Sequence, residues 1–165
     1  MQKRSRDDGR SLLDFIDCID VACPRCGHHA LVRMERRQGT GIVTSPPARL
    51  SCHHCGLIRT QRRDKTSMWR YSLRADGRDP YFGIQLWLQE PTRHGLVFAY
   101  NEAHLQVLET FVGAELRERN ASRAIRWNNR SMASRLPRWM KRAQNRDEML
   151  ATLARLRARL KTAQP

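Results

Sequence analysis

Acidic residues are scarce in this chain of 165 residues: 16 Asp and Glu stand against 31 Lys and Arg, a formal net charge of +15. That imbalance excludes a surface that repels polyanions and favours one that gathers them, nucleic acid or an acidic membrane surface. Long apolar runs are missing too. Stretches such as LVFAY at 96–100 fall far short of the roughly 18 residues a spanning helix needs, so no membrane span is expected. MQKRSRDDGR is charged throughout, and the following SLLDFIDCIDVA is broken by Asp14, Asp17 and Asp20. Neither reads as a secretory signal, so a cytoplasmic protein is expected. Aromatic residues make up 7% and apolar residues 40%, enough for a modest core in one domain or a domain with a small module. No H-E-x-x-H, Gly-rich phosphate loop or carboxylate cluster of metal-binding spacing occurs, and no enzyme is expected. Asp76, Asp79 and Glu90 with His94 and His104 come nearest to a nuclease set. Asp79 reads more simply as a turn residue before Pro80, and His104 as a first-turn helix residue.

Cysteines number only five, but four are paired at close range. Cys23-Pro-Arg-Cys26-Gly27 is echoed by Cys52-His-His-Cys55-Gly56, with twenty-five residues between the pairs. Thiolates at i and i+3 in a tight turn supply two ligands of a tetrahedral zinc ion, and two such knuckles complete the set. Gly27 and Gly56 sit where the chain must turn with positive φ and leave amides free for sulfur. The intervening length suits a β-hairpin: HALVRMER outward, RQGTGIVTSPPA as its loop and RLS returning. A thioredoxin-like motif would need one pair at a helix start, and a catalytic zinc site would leave one position open for water. The pattern predicts one structural Zn²⁺ held by Cys23, Cys26, Cys52 and Cys55 in a zinc ribbon spanning 15–62. Chelation is expected to unfold that span. His28, His29, His53 and His54 are expected to be exposed imidazoles, and Cys18 a small buried hydrophobe.

Beyond the ribbon, YFGIQLWLQ (81–89) and GLVFAY (95–100) predict a second hairpin with a Pro-containing connector. Asn101 is a good N-cap for a helix through NEAHLQVLETFVGAELRER, with Leu105, Leu108, Phe111, Val112 and Leu116 on one face. Another helix opens at Ser131 and is reset by Pro137, with Trp139 and Met140 as anchors. The last begins with Asn145 as N-cap and carries Leu150, Leu153, Leu156 and Leu160 as its stripe. From Arg117 onward fourteen Lys/Arg face three acids, so the charge excess is carboxy-terminal. Arginine forks suit phosphate, and an interleaved aromatic suits bases. The candidate nucleic-acid contacts are Arg123, Arg126, Trp127, Arg130, Arg135, Arg138, Lys141 and Arg142.

The chain resembles a group of bacterial proteins labelled zinc-ribbon or transcription-factor-IIB-type zinc-ribbon proteins. The matching pieces are the two knuckles, Asp79-Pro80-Tyr81-Phe82-Gly83, Leu86-Trp87-Leu88, Tyr100-Asn101-Glu102 with His104-Leu105, and Leu116-Arg117-Glu118-Arg119. Ser134-Arg135-Leu136-Pro137 with Trp139-Met140-Lys141, and Asn145-Arg146-Asp147-Glu148, complete them. The resemblance covers most of the chain from about residue 20 and implies no particular activity. Arg93-His94 stands in the second connector where cysteines are expected in some relatives, which argues against a second metal site there. The expected architecture is α+β: a flexible basic amino-terminus over 1–14, the ribbon over 15–62, a β-hairpin plus helix over 63–120, and a basic helical region over 121–165. The expected role is non-catalytic nucleic-acid binding, DNA or RNA. The alternative is a protein-binding adaptor that docks the ribbon tip and the Trp127–Trp139 region on a larger, acidic partner. Oligomeric state is left open.

Overall fold

Alternation decides the first sheet. Ile19 and Val21, Ala30 and Val32, and Ala48 and Leu50 all turn one way and are buried, while residues between them turn outward. The structure is a computed structural model and describes residues 4–6, 9–34, 47–61, 76–114, 116–118 and 131–163. Strand β1 (Arg4–Arg6) precedes a 3-10 turn (Leu12–Phe15) and β2 (Cys18–Ala22). Then come β3 (His29–Met34), β4 (Ala48–Ser51) and β5 (Ile58–Gln61), which join β2 in an antiparallel sheet of order β2-β3-β4-β5. Arg33 lies opposite both Cys18 and Arg49, and Arg49 opposite Thr60. The hairpin expected between the two cysteine pairs is therefore present.

The far edge of β2 is closed by residues distant in sequence. Asp20 N donates to Tyr100 O at 2.7 Å, Ala22 N to Gln85 O at 2.9 Å and Trp87 N to Asp20 O at 2.9 Å. A carboxylate sets up this contact. Asp79, 1% exposed, accepts from the amides of Tyr81 (2.9 Å), Phe82 (2.8 Å) and Ile84, and Gly83 closes the turn at φ +68°. The loop places Tyr81 against the sheet, where its hydroxyl donates to Ile16 O at 3.3 Å. The strand predicted from Tyr81 thus starts only at Leu88: the amides of Tyr81, Phe82 and Ile84 go to one buried carboxylate, and those of Leu86 and Trp87 to Gly77 O and Asp20 O.

Strands β6 (Leu88–Thr92) and β7 (Gly95–Ala99) form the second hairpin, turning at Arg93-His94. Helix α1 (Glu102–Gly113) follows with Asn101 as N-cap, its Oδ1 accepting from His104 N at 2.9 Å. The same side chain donates to Phe15 O and Cys18 O, both at 2.8 Å, and so ties the helix start to the entrance of β2. α1 ends at Gly113 rather than running to 119. Ala114 is extended, its carbonyl accepts from Arg146 Nη2 at 3.0 Å, and Leu116 begins β8 (Leu116–Glu118), which pairs in parallel with β1.

Short helices α2 (Met132–Arg135), capped by Ser131, and α3 (Arg138–Lys141), entered through Pro137, lead by a 3-10 turn (Ala143–Asn145) to α4 (Arg146–Ala163). Met140 is buried as expected, and Trp139 is partly buried against the core. Asn145 is not a side-chain cap. It is buried, and its amide donates to Trp139 O at 2.9 Å. The stripe of Met149, Leu153, Leu156 and Leu160 packs α4 on α1 and β6 within the same chain. One continuous core runs from Ile19 and Leu50 in the sheet to Leu105 and Leu153 in the helices.

Helix α4 is also held by charge. Arg157 bonds both carboxylate oxygens of Glu109 (3.1 and 2.7 Å) and reaches Glu102 at 2.6 Å. These acids raise the arginine's pKa, the Glu109 hydrogen bond most of all. Arg155 and Arg159 both grip Glu90, at 2.6 and 3.3 Å. A half-buried bidentate pair is worth more than an exposed one. Arg157→Leu is expected to lower stability by about 1–2 kcal/mol in urea unfolding, and the more exposed Arg155→Leu by less.

Candidate metal centre and basic surface

The two knuckles fold alike. Cys23 N donates to His28 O at 2.7 Å and Gly27 N to Cys23 O at 2.8 Å; Cys52 N donates to Leu57 O at 2.9 Å and Gly56 N to Cys52 O at 3.0 Å. Gly27 and Gly56 adopt φ +73° and +70°. Their amides therefore close each turn on a cysteine carbonyl, not on sulfur as the sequence suggested.

The turns bring four sulfurs together. Cys23 Sγ lies 3.6 Å from Cys55 Sγ, and Cys26 Sγ 3.7 Å from Cys52 Sγ. All four lie within 4.8 Å of one another. A tetrahedral ion with metal–sulfur bonds of about 2.3 Å, the length for zinc thiolates, requires sulfurs about 3.8 Å apart. The donor set fits. Cys23 and Cys52 are buried, while Cys26 and Cys55 are partly open.

Electrostatics make the same point. Burial pushes the Cys23 thiol up, but the amides of Cys26 and Arg25 and the thiols of Cys26 and Cys55 outweigh it and bring the pKa down to about 7. The His28 amide pulls Cys26 down, yet burial and the thiols of Cys55, Cys23 and Cys52 push it up to about 12. The opposed shifts of Cys23 and Cys26 show that these two thiols do not ionise together without a cation beside them. A divalent ion removes the conflict.

The histidines divide. His28 and His54 are exposed and stack in parallel, centroids 3.4 Å apart, beside Cys26. His53 is exposed as well. His29 departs from the expectation: it is half-buried and bonded to Asp20 at 2.7 Å. Cys18 is also only half-buried, on the rim of a groove shared with Asn101 and Glu102.

Of the predicted nucleic-acid contacts, Arg123, Arg126, Trp127 and Arg130 lie outside the described residues. Arg135, Arg138 and Arg142 are exposed near α2 and α3, whereas Lys141 is half-buried and donates to Ser134 O at 2.8 Å. Trp139 stacks on His94 (5.8 Å) beside Gly95, so it is an internal anchor more than a docking side chain. The carboxy-terminal charge is less available than its sequence count implied, because Arg155, Arg157 and Arg159 are neutralised by Glu90, Glu102 and Glu109. Sequence reasoning missed Arg33 and Arg49, exposed on the outer face of the sheet. Only their strand register marks them.

The residues nearest to a nuclease set are otherwise engaged. Asp79 is sequestered by amides and Glu90 by two arginines. His94 faces Glu148, and His104 is buried, its Nδ1 accepting from Tyr100 N at 3.1 Å. Comparison with protein-family models, curated proteins and solved structures gives no match to this chain.

Proposed function

We propose that the cysteine module is a zinc ribbon with one structural Zn²⁺, and that the protein is a non-catalytic nucleic-acid-binding accessory. One observation carries the reading: beside the arginines of α4, which pair with carboxylates, exposed cations stand at Arg138 and Arg142 and on the sheet at Arg33, Arg49 and Arg59. A net charge of +15 collects phosphate. Contacts of this kind position a nucleic acid without reading its sequence. The ribbon would then be a rigid platform, with the metal holding its knuckles. The resemblance to bacterial zinc-ribbon proteins supports the metal-holding role of the knuckles and implies no activity.

The test is binding of fluorescent double-stranded DNA, single-stranded DNA and structured RNA to metal-loaded protein across a salt series. Affinity should fall with salt at a log–log slope of about −0.9 per phosphate neutralised on duplex DNA. Reversing Arg126, Arg130, Arg135 and Arg138 to glutamate should weaken it at least tenfold. Binding no better than that of an equally basic peptide would overturn the reading. The adaptor reading would then take its place, supported by Ile58, which is 57% exposed on the edge strand.

A further inference from the structure

The ribbon sheet has an outer face that the core does not use. Val32 and Leu50, fully buried, point inward, so Arg33 and Arg49, next along their strands, point outward, and both are exposed. The register sets these two arginines directly opposite each other, with Thr60 of β5 next in the row. One step nearer the knuckles a second row runs Leu31, Ser51, Ile58, two of its members partly covered and Ile58 exposed. The rows are roughly 6.7 Å apart, two residues of strand.

Like charges directly opposite each other destabilise a sheet. Among the described residues neither guanidinium has a carboxylate partner, in contrast to Arg155, Arg157 and Arg159 on α4. An anion lying between the two forks relieves that repulsion and meets two bidentate donors. We propose that this outer face, Arg33, Arg49 and Thr60 with the Leu31–Ile58 row beside them, is the binding surface for single-stranded nucleic acid. The inference rests on the nucleic-acid reading above and assigns it a site and a strand type.

The shape of the face selects the strand type. A duplex major groove, about 12 Å wide, admits one helix or a two-stranded ribbon. Strands β3 to β5 already span roughly 10 Å between outer strand axes before side chains are added. On the β2 side the face is walled by the start of α1, with Asn101, Glu102, Gln106 and Leu160 around the groove at Cys18 and Asp20. The sheet cannot enter a groove, but a splayed strand can lie across it. Its phosphates meet the arginine row, and its bases cover the apolar row. The start of α1 on the walled side confines the path to β3–β5.

The experiment uses the full chain loaded with metal and fluorescent oligomers of dT, of U, and a duplex of equal length, followed by anisotropy at about 0.15 M salt. The pair of changes R33E/R49E should weaken binding of the single strands at least tenfold. It should also make the salt slope shallower by about 1.4, two phosphates at about 0.7 each. R33Q/R49Q should show a smaller loss, and R33K/R49K a smaller one still, because lysine keeps the charge but loses the bidentate fork. Metal content and circular dichroism identify any variant that misfolds, in which case the glutamine pair decides. The dT and U arms tell DNA from RNA. Unchanged binding by the correctly folded R33E/R49E protein, with loss on reversing Arg135, Arg138 and Arg142, overturns this surface and leaves the nucleic-acid reading standing. Tighter binding to duplex than to either single strand overturns the strand type. Absence of salt-dependent binding by the wild-type chain overturns both.

Discussion

Removing the metal is expected to abolish backbone amide protection in β3, β4 and β5 while protection in α1 and α4 persists. Hydrogen exchange read by mass spectrometry, with and without a strong zinc chelator, is the measurement. Structural zinc contributes on the order of 10–16 kcal/mol in small zinc peptides, whereas a whole domain is stable by only about 5–15 kcal/mol. The sheet has little to replace it. β5 is an edge strand whose Ile58, Arg59 and Thr60 are all exposed, and the inward residues of β3 and β4 are mostly small: Ala30, Val32, Ala48 and Leu50. The helical half has its own core of Leu105, Leu108, Val112, Met149, Leu153 and Leu156 on β6 and β7. β2 belongs to both halves, because Gln85, Trp87 and Tyr100 hold its far edge. It should therefore lose protection only partly, a finer outcome than uniform unfolding of 15–62. Cys23→Ser should reproduce the effect without chelator. Metal analysis should return one zinc per chain; iron would overturn the identity of the ion. Protection in β3–β5 that survives chelation would overturn the structural role.

The knuckles and the β3–β4 hairpin were legible because their signals are local: ligand pairs three residues apart, a following glycine, and alternating apolar residues. Asn101 was legible for the same reason, since a cap declares itself within three residues of the helix start. What sequence could not supply were pairings over long separations. Arg155 meets Glu90 across sixty-five positions, and Arg157 meets Glu109 across forty-eight. Counting charge along the chain therefore overstated what α4 can offer a ligand. Arg33 and Arg49 were invisible for a related reason: neither is notable alone, and only the strand register sets them face to face. At the early end of α1 the Ala114 carbonyl likewise meets a distant group, the Arg146 guanidinium. Asp79 is a turn residue, as its place before Pro80 predicts. That its carboxylate is buried and fastens the turn onto the sheet required the third dimension.

Acid should destabilise this protein through His104. The ring is 2% exposed, stacks on Phe15 with centroids 5.0 Å apart, and accepts the Tyr100 amide through Nδ1. Burial holds its pKa at about 3, well below the ordinary 6.5. Between those values the unfolded chain binds a proton that the folded chain refuses, so stability is complete above about pH 6.5 and declines as pH falls toward 3. Each pH unit in that window removes up to about 1.4 kcal/mol, or about 3 kcal/mol by pH 4. Protonation would also displace the Tyr100 amide from the ring nitrogen, so the two events oppose each other at one atom. Thiolates released from the metal take up protons in the same range, and a single titration cannot separate them. His104→Asn keeps an acceptor near Tyr100 N and has no proton to gain, while the cysteines are untouched. Urea midpoints measured from pH 7 to pH 4 should therefore fall more steeply for the wild type, the two curves converging by about 3 kcal/mol toward the acid end. Parallel curves would mean that the imidazole is protonated in the folded state after all, and that its burial at neutral pH does not govern acid stability.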